Sequence, residues 1–150
     1  GDPSLTEIEV FAPKVGVEHC ALVGARELDA GEKALMKRVG LRAFSMSEID
    51  QRGLGAVMRD ALEIATRGTA GFHVSFDMDF VDPSEAPGVG TPARGGASYR
   101  ESHLAMEMVA QSGKLLALDI MEVNPILDAH NRTAQLAVEL AASALGKVIL

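Results

Sequence analysis

The stretch that decides the fold is Phe72-His73-Val74-Ser75-Phe76-Asp77-Met78-Asp79, followed by Phe80-Val81-Asp82-Pro83 and then Ala86-Pro87-Gly88-Val89-Gly90-Thr91-Pro92. The first eight residues alternate apolar and polar, the period of a strand with one buried face. Val74, Phe76 and Met78 share one side, and Ser75, Asp77 and Asp79 share the other. A long loop rich in proline and glycine is expected over 80–98.

Working outward, Cys20–Ala25 is a short apolar run closed by small residues, expected as a buried strand. A helix is expected from Asp29 to residue 39, with Asp29 as N-cap, Glu32 three residues on and Gly40 as its stop. Residues 41–46 form the second expected strand. Residues 47–67 form a helix with Ser47 as N-cap and Gly53 and Gly55 as interruptions; Val57, Ala61, Leu62 and Ala65 fall near helical spacing. Beyond the loop, Ser98 with Glu101 opens a helix over 99–112, which Gly113 ends. Residues 114–123 make a fourth strand, stopped at Asn124-Pro125, and 131–146 a last helix. Strands alternating with helices predict an α/β fold built on a parallel sheet. No repeat, low-complexity tract or linker divides residues 1–150, so a single α/β unit is expected.

At 150 residues the chain can bury a real core. Its net charge of −7 argues against a nucleic-acid partner, which needs a basic footprint, and suits a protein that gathers cations. One cysteine, Cys20, makes no internal disulfide and fits a reducing, cytoplasmic setting. No apolar run reaches the roughly 18 residues of a membrane span, and no membrane partner is expected. The start, Gly-Asp-Pro-Ser-Leu, has no signal-peptide character. It also lacks Met, so the chain is expected to begin partway through a longer protein.

In parallel α/β sheets the ligand site lies beyond the carboxyl ends of the strands. Acid pairs are expected there: Asp29 and Glu32 after the first strand, Asp77 and Asp79 at the end of the third, and Asp119 and Glu122 at the end of the fourth. Carboxylates crowded together repel, and a cation resolves the repulsion. Two hard oxygen donors on one face of a strand suit Mg²⁺, Mn²⁺ or Ca²⁺. The bland alternative is a solvated strand end whose carboxylates cap loop N–H groups. Gly88-x-Gly90-x-x-Ala93 matches a dinucleotide fingerprint only on paper, because it follows a proline-broken loop and contains Pro92. Asp77-Met78-Asp79-Phe80-Val81 also fits the haloacid-dehalogenase phosphatase motif, with Asp77 as nucleophile and Asp79 as general acid, although that family places the motif at the start of the chain.

Ser75–Pro83, Ala86–Pro92 and Gly95-Gly96 together strongly resemble the signature of the ureohydrolases, the family of arginase and agmatinase. Tyr99-Arg100-Glu101, Met121-Glu122-Val123-Asn124-Pro125 and Val23–Glu32 resemble its arginase branch more narrowly. The resemblance implies a three-layer α/β/α fold with an eight-stranded parallel sheet, of which four strands would be half. It implies two Mn²⁺ per complete site and a metal-bridging hydroxide that cleaves L-arginine to L-ornithine and urea. By matching motif positions, Asp77 would bridge both metals and Asp79 would bind one. Glu122 would pair with the substrate guanidinium, Thr91 would line the site, and Asp29 with Glu32 would recognise the α-amino group. Asp50, Arg100 and Glu101 resemble subunit-interface residues of a homo-oligomer, a trimer or hexamer. Asp82 reads better as a turn residue before Pro83 than as a ligand.

The family's other metal ligands lie in Gly-Gly-Asp-His and Asp-Ala-His-x-x-x-Asp motifs that this chain lacks. Its histidines, His19, His73, His103 and His130, stand in no such arrangement. The chain thus resembles the C-terminal half of an arginase, inactive by itself and exposing an apolar sheet edge that seeks the missing N-terminal half or another copy. An agmatinase or other guanidino-compound hydrolase is the alternative within the family; a non-catalytic oligomerisation fragment is the alternative outside it.

Overall fold

The computed structural model describes residues 2–10 and 12–147. The elements, in chain order, are α1 (Pro3–Thr6), β1 (Ala21–Ala25), α2 (Ala30–Val39), β2 (Arg42–Ser45), α3 (Met46–Arg52), α4 (Leu54–Thr66), β3 (Phe72–Asp77), α5 (Tyr99–Gln111), β4 (Leu115–Met121) and α6 (Arg132–Ala144). Single 3-10 turns lie at Ile8–Val10, Val17–His19 and Met78–Phe80.

The strand–helix alternation is the expected one, and the strand pairing among the described residues is parallel. The described strands form two ladders, β1 with β2 and β3 with β4, with no hydrogen bonds joining one ladder to the other. In the second ladder Asp77 stands opposite Met121, so β3 and β4 finish at the same level. That register brings Asp77 and Glu122 to one end of the sheet.

Local chemistry moves several boundaries. The cap of the helix after β2 is Ser45, not Ser47: the Ser45 hydroxyl accepts from the Glu48 N–H at 3.2 Å. The expected long helix is two, because Gly53, at φ +78°, ends α3 and opens α4. β3 stops at Asp77 rather than Asp79, since the chain tightens into the Met78–Phe80 turn. β4 stops at Met121 because Glu122 takes φ +65°, a left-handed backbone that no strand tolerates.

The core lies between the sheet and α4, α5 and α6. From β3 come Phe72 and Phe76, from α4 Leu54, Val57, Met58 and Ala61, and from α5 and α6 Met106, Val109, Leu136 and Leu140, all buried. The α4 residues recur at helical spacing, so one stripe faces the sheet. Each large apolar side chain contributes about 1.5–3 kcal/mol by burial. The opposite face of β3, with His73, Ser75 and Asp77, is exposed. α2 buries none of its residues. No described helix is long and apolar enough to cross a membrane.

Candidate active site

The site forms where β3 and β4 end. The carboxylate of Asp77 folds back on the chain: its Oδ1 accepts the Asp79 N–H at 2.8 Å. This is an Asx turn, and it converts the strand end into the Met78–Phe80 turn. Asp77 and Asp79 are therefore not two side chains on one strand face. The turn carries Asp79 past the ladder, and Met78, fully buried, anchors it.

Asp79 is the most unusual carboxylate in the molecule. One oxygen, Oδ2, accepts the Thr91 hydroxyl at 2.6 Å. The other, Oδ1, is buried and has no hydrogen-bond partner among the described residues. A buried carboxylate oxygen without a partner is costly, and a cation is the group that would relieve it.

The loop after the turn is held by a second aspartate. Asp82 accepts N–H bonds from Ser84 at 3.0 Å, Gly95 at 2.9 Å and Gly96 at 3.2 Å. The Ser84 N–H and hydroxyl, then Gly95 and Gly96, lower its pKa from 3.8 to about 2. Asp82 is thus a loop clamp, as its place before Pro83 led one to expect. Main-chain bonds between Asp82, Ala97 and Phe80 at 2.9 Å close the loop on itself.

Glu122 enters from the other side. It follows β4 directly, and its left-handed backbone is strain of the kind that functional positions hold. Its Oε2 lies 3.0 Å from where a Cβ on Gly90 would stand, so the loop passes against it. Gly88, two residues earlier, is locked from three directions. Its N–H donates to the Thr133 hydroxyl at 2.7 Å, its carbonyl accepts the Asn124 N–H at 2.7 Å, and a Cβ there would meet Asp128 at 2.4 Å. Only glycine fits. Asp128 in turn caps α6, accepting from the Thr133 N–H at 2.9 Å and hydroxyl at 2.9 Å and from the Ala134 N–H at 3.3 Å. Burial raises the Asp128 pKa, but the Thr133 and Ala134 bonds outweigh it and the net direction is down.

The expected site residues sort into groups. Asp77, Asp79 and Thr91 are linked one to the next by hydrogen bonds, and Glu122 lies against the same loop at Gly90. Asp29 and Glu32 are joined to each other as a capping box, Asp29 Oδ1 accepting the Glu32 N–H and Glu32 Oε2 the Asp29 N–H, both at 2.8 Å. Asp119 does not stand at the mouth; it sits inside β4 and pairs with His73 Nε2 at 2.9 Å. Asp50 is exposed on α3, and Arg100 reaches Glu107 at 3.5 Å along α5. Glu101 completes the capping box of α5, accepting from the Ser98 N–H at 2.8 Å.

The histidines stay away from the carboxylates at the sheet end. His19 lies in a 3-10 turn, His103 is buried against Ser143 at 2.9 Å, and His130 occupies a left-handed turn. Among the described residues no three His, Cys, Asp or Glu side chains are grouped to hold a metal. Asp77 and Asp79 supply hard oxygen donors, the type that suits Mn²⁺ and Mg²⁺, and the unpartnered Asp79 oxygen fits a cation. They are part of a donor set.

Inspection of the sequence missed Arg26, Asp128 and Thr133. Asp128 carries a weak signal, an aspartate just ahead of a helix whose Asn131 N-cap gives no side-chain bond. Arg26 carries none, because its acceptors are main-chain carbonyls 53 and 67 residues away.

Oxygen donors at the carboxyl end of parallel strands define the class to compare, parallel α/β proteins that bind a ligand beyond their strand ends. The arginase family model matches residues 7–146, and the chain belongs to the arginase family. It is 47% identical over 150 residues to an arginase of Brevibacillus brevis, covering 100% of this chain and 50% of that protein. The arginase structure from Bacillus caldovelox superposes with a TM-score of 0.96 at 45% identity, again over 100% of this chain and 50% of that one. The Bacillus subtilis arginase structure gives 0.95 at 47%, covering 53% of its chain. The chain spans about half the length of the relatives it matches. Family membership removes the phosphatase reading of Asp77 and Asp79; β3 is also the third strand, not the first.

Proposed function

We propose that this chain is the C-terminal half of an arginase, contributing two metal-binding carboxylates and the guanidinium carboxylate to the hydrolysis of L-arginine to L-ornithine and urea. The observation that carries the reading is the buried, unpartnered Oδ1 of Asp79 beside the loop that meets Glu122. Asp77 and Asp79 would hold Mn²⁺, two ions in the complete site. When bound, the ions would lower the pKa of water and so supply the nucleophile.

The chain's own residues prepare the substrate. Glu122 would receive the planar guanidinium through a two-point charge-assisted contact, which fixes the carbon to be attacked. The left-handed backbone at Glu122 orients that carboxylate, and the clamped loop at Gly88–Thr91 limits its movement. Thr91 donates to Asp79 and keeps one oxygen occupied, leaving the other for a cation. Asp29 and Glu32 would bind the α-amino group of arginine, an amine that agmatine keeps while lacking the α-carboxylate beside it.

The remaining ligands would come from an N-terminal half, in keeping with relatives twice the length of this chain. That half would cover the open face of β3 and pair with free strand edges. Asp50, Arg100 and Glu101 would sit at contacts of a homo-oligomer in the cytoplasm. The test is urea release with Mn²⁺, by this chain alone and by this chain mixed with the first half of the Brevibacillus brevis arginase. We expect little turnover alone and arginine turnover in the mixture, with agmatine poor. Ordinary turnover by the chain alone would overturn its dependence on a second half. Preference for agmatine would make it an agmatinase.

A further inference from the structure

The two ladders share no hydrogen bonds, yet one side chain crosses between them at the site. Arg26 directly follows β1. Its Nη2 donates to the main-chain carbonyl of Asp79 and, at 2.8 Å, to that of Ala93; its Nε donates to Ala93 as well, at 3.3 Å. Among the described residues no carboxylate pairs with it, although acids are abundant. The half-buried guanidinium is thus committed to two backbone points, one at the putting-in place of the Asp79 carboxylate and one just past Thr91-Pro92. One is the backbone of Asp79 itself, and the other lies two residues beyond Thr91, its hydrogen-bond partner.

The neighbouring geometry makes that reach possible. Gly24, at φ +86°, breaks the β1 ladder between Val23 and Ala25. A Cβ on Gly24 would lie 2.3 Å from the Phe80 ring, so the bare glycine lets Phe80 lie over the strand end. Phe80 belongs to the turn that carries Asp79, and its ring packs edge-on to Phe76 with centroids 5.6 Å apart. β1 therefore touches the site turn twice, through the Gly24–Phe80 contact and through Arg26.

We infer that Arg26 is a positioning residue that sets the Asp79 carboxylate and the Thr91 loop in their metal-binding relation by tying both backbones to β1. The inference rests on the arginase reading for the identity of the metal, but not for the tie itself. A guanidinium suits the task because its fixed fork of donors reaches two carbonyls at once, whereas a lysine ammonium is a single point. Donors that orient a metal ligand from behind are typically worth about 10–100-fold in metal affinity.

The experiment uses the full chain as wild type, Arg26→Ala and Arg26→Lys, read by residue-level hydrogen exchange without metal and by Mn²⁺ titration. We expect amides over 79–97 to exchange about tenfold faster in Arg26→Ala while those of α5 and α6 hold, because charged hydrogen bonds to that segment alone are lost. Arg26→Lys should recover only part of the protection. Mn²⁺ affinity should fall about tenfold in Arg26→Ala, and adding Thr91→Val should cost less than it does in wild type, since both act through Asp79. Unchanged exchange over 79–97, or acceleration spread evenly over the chain, would overturn the inference. If wild type binds no Mn²⁺, the metal reading of this chain alone fails, and the exchange result still decides the role of Arg26.

Discussion

Two strands of this chain, β1 and β3, each lead into a pair of acids, Asp29 and Glu32 beyond the first and Asp77 and Asp79 at the end of the second, and the structure treats the pairs in opposite ways. After β1, Asp29 and Glu32 answer each other's backbone N–H groups at 2.8 Å and open α2. At the end of β3, Asp77 also caps a turn, but Asp79 is carried inward and left with one buried oxygen that nothing among the described residues satisfies. The first pair is at peace with its own helix, and any substrate contact it makes is added to a finished structure. The second is unfinished without a cation. Acid spacing alone does not separate these cases. What separates them is whether the local backbone offers enough N–H groups to complete each carboxylate.

The sharpest way to break the comparison is to remove the carboxylate charge from each pair in turn. Asp79→Asn should weaken Mn²⁺ binding to the assembled protein by more than about 100-fold, since even residues behind a ligand cost 10–100-fold. Asp29→Ala should leave Mn²⁺ affinity within a factor of about 2 and cost about 1 kcal/mol of stability through the lost cap. Calorimetric titration with thermal melts of both variants separates the two; equal losses of metal affinity would erase the distinction.

A smaller effect is expected at Glu122. Glu122→Gln keeps the shape and loses the charge, so kcat/KM for arginine in the assembled protein should fall roughly 10–100-fold, the worth of a charged hydrogen bond. Mn²⁺ affinity should change little. A kinetic series paired with the same titration checks it, and a parallel loss of metal would move Glu122 into the metal set.

The smallest effect belongs to Asp82, which resembles the satisfied pair although it sits in the site loop. Its folded pKa is about 2 against 3.8 for a free aspartate, so the group binds protons less readily when folded. Its contribution is therefore fully present above about pH 4 and fades as pH falls through about 2. Asp82→Asn should lower stability at neutral pH by about 1 kcal/mol or less, because the carboxylate is close to solvent. Wild type and variant should converge near pH 2 in an acid titration followed by circular dichroism. A gap that persists there would show that shape, rather than charge, holds the loop.

Much of the fold was legible because its signals are local. The alternation over 72–77, the Asp29–Glu32 and Ser98–Glu101 capping spacings and the glycine stops at 40 and 113 need only neighbouring residues. Errors arose where a local signal had two readings. Ser45 and Ser47 are both plausible caps, and the one at the end of β2 won. Asp77 and Asp79 have strand spacing, but an aspartate that bonds its own backbone two residues on ends a strand. Asp119 has the look of a strand-end acid until the register places it beside His73.

The amino-acid sequence by itself determined the alternation of strands and helices, the Asp29 and Ser98 caps, the α/β class and the motif that marks the arginase family, since these follow from periodicity, local hydrogen bonding and residue identity. Tertiary structure alone decided that Asp79 keeps an unpartnered oxygen, that Gly88 is locked between Thr133 and Asp128, and that Arg26 ties β1 to the site. The ties of Gly88 and Arg26 join residues tens of positions apart and have a main-chain atom at one end, which every residue carries alike, so no side-chain pattern announces them.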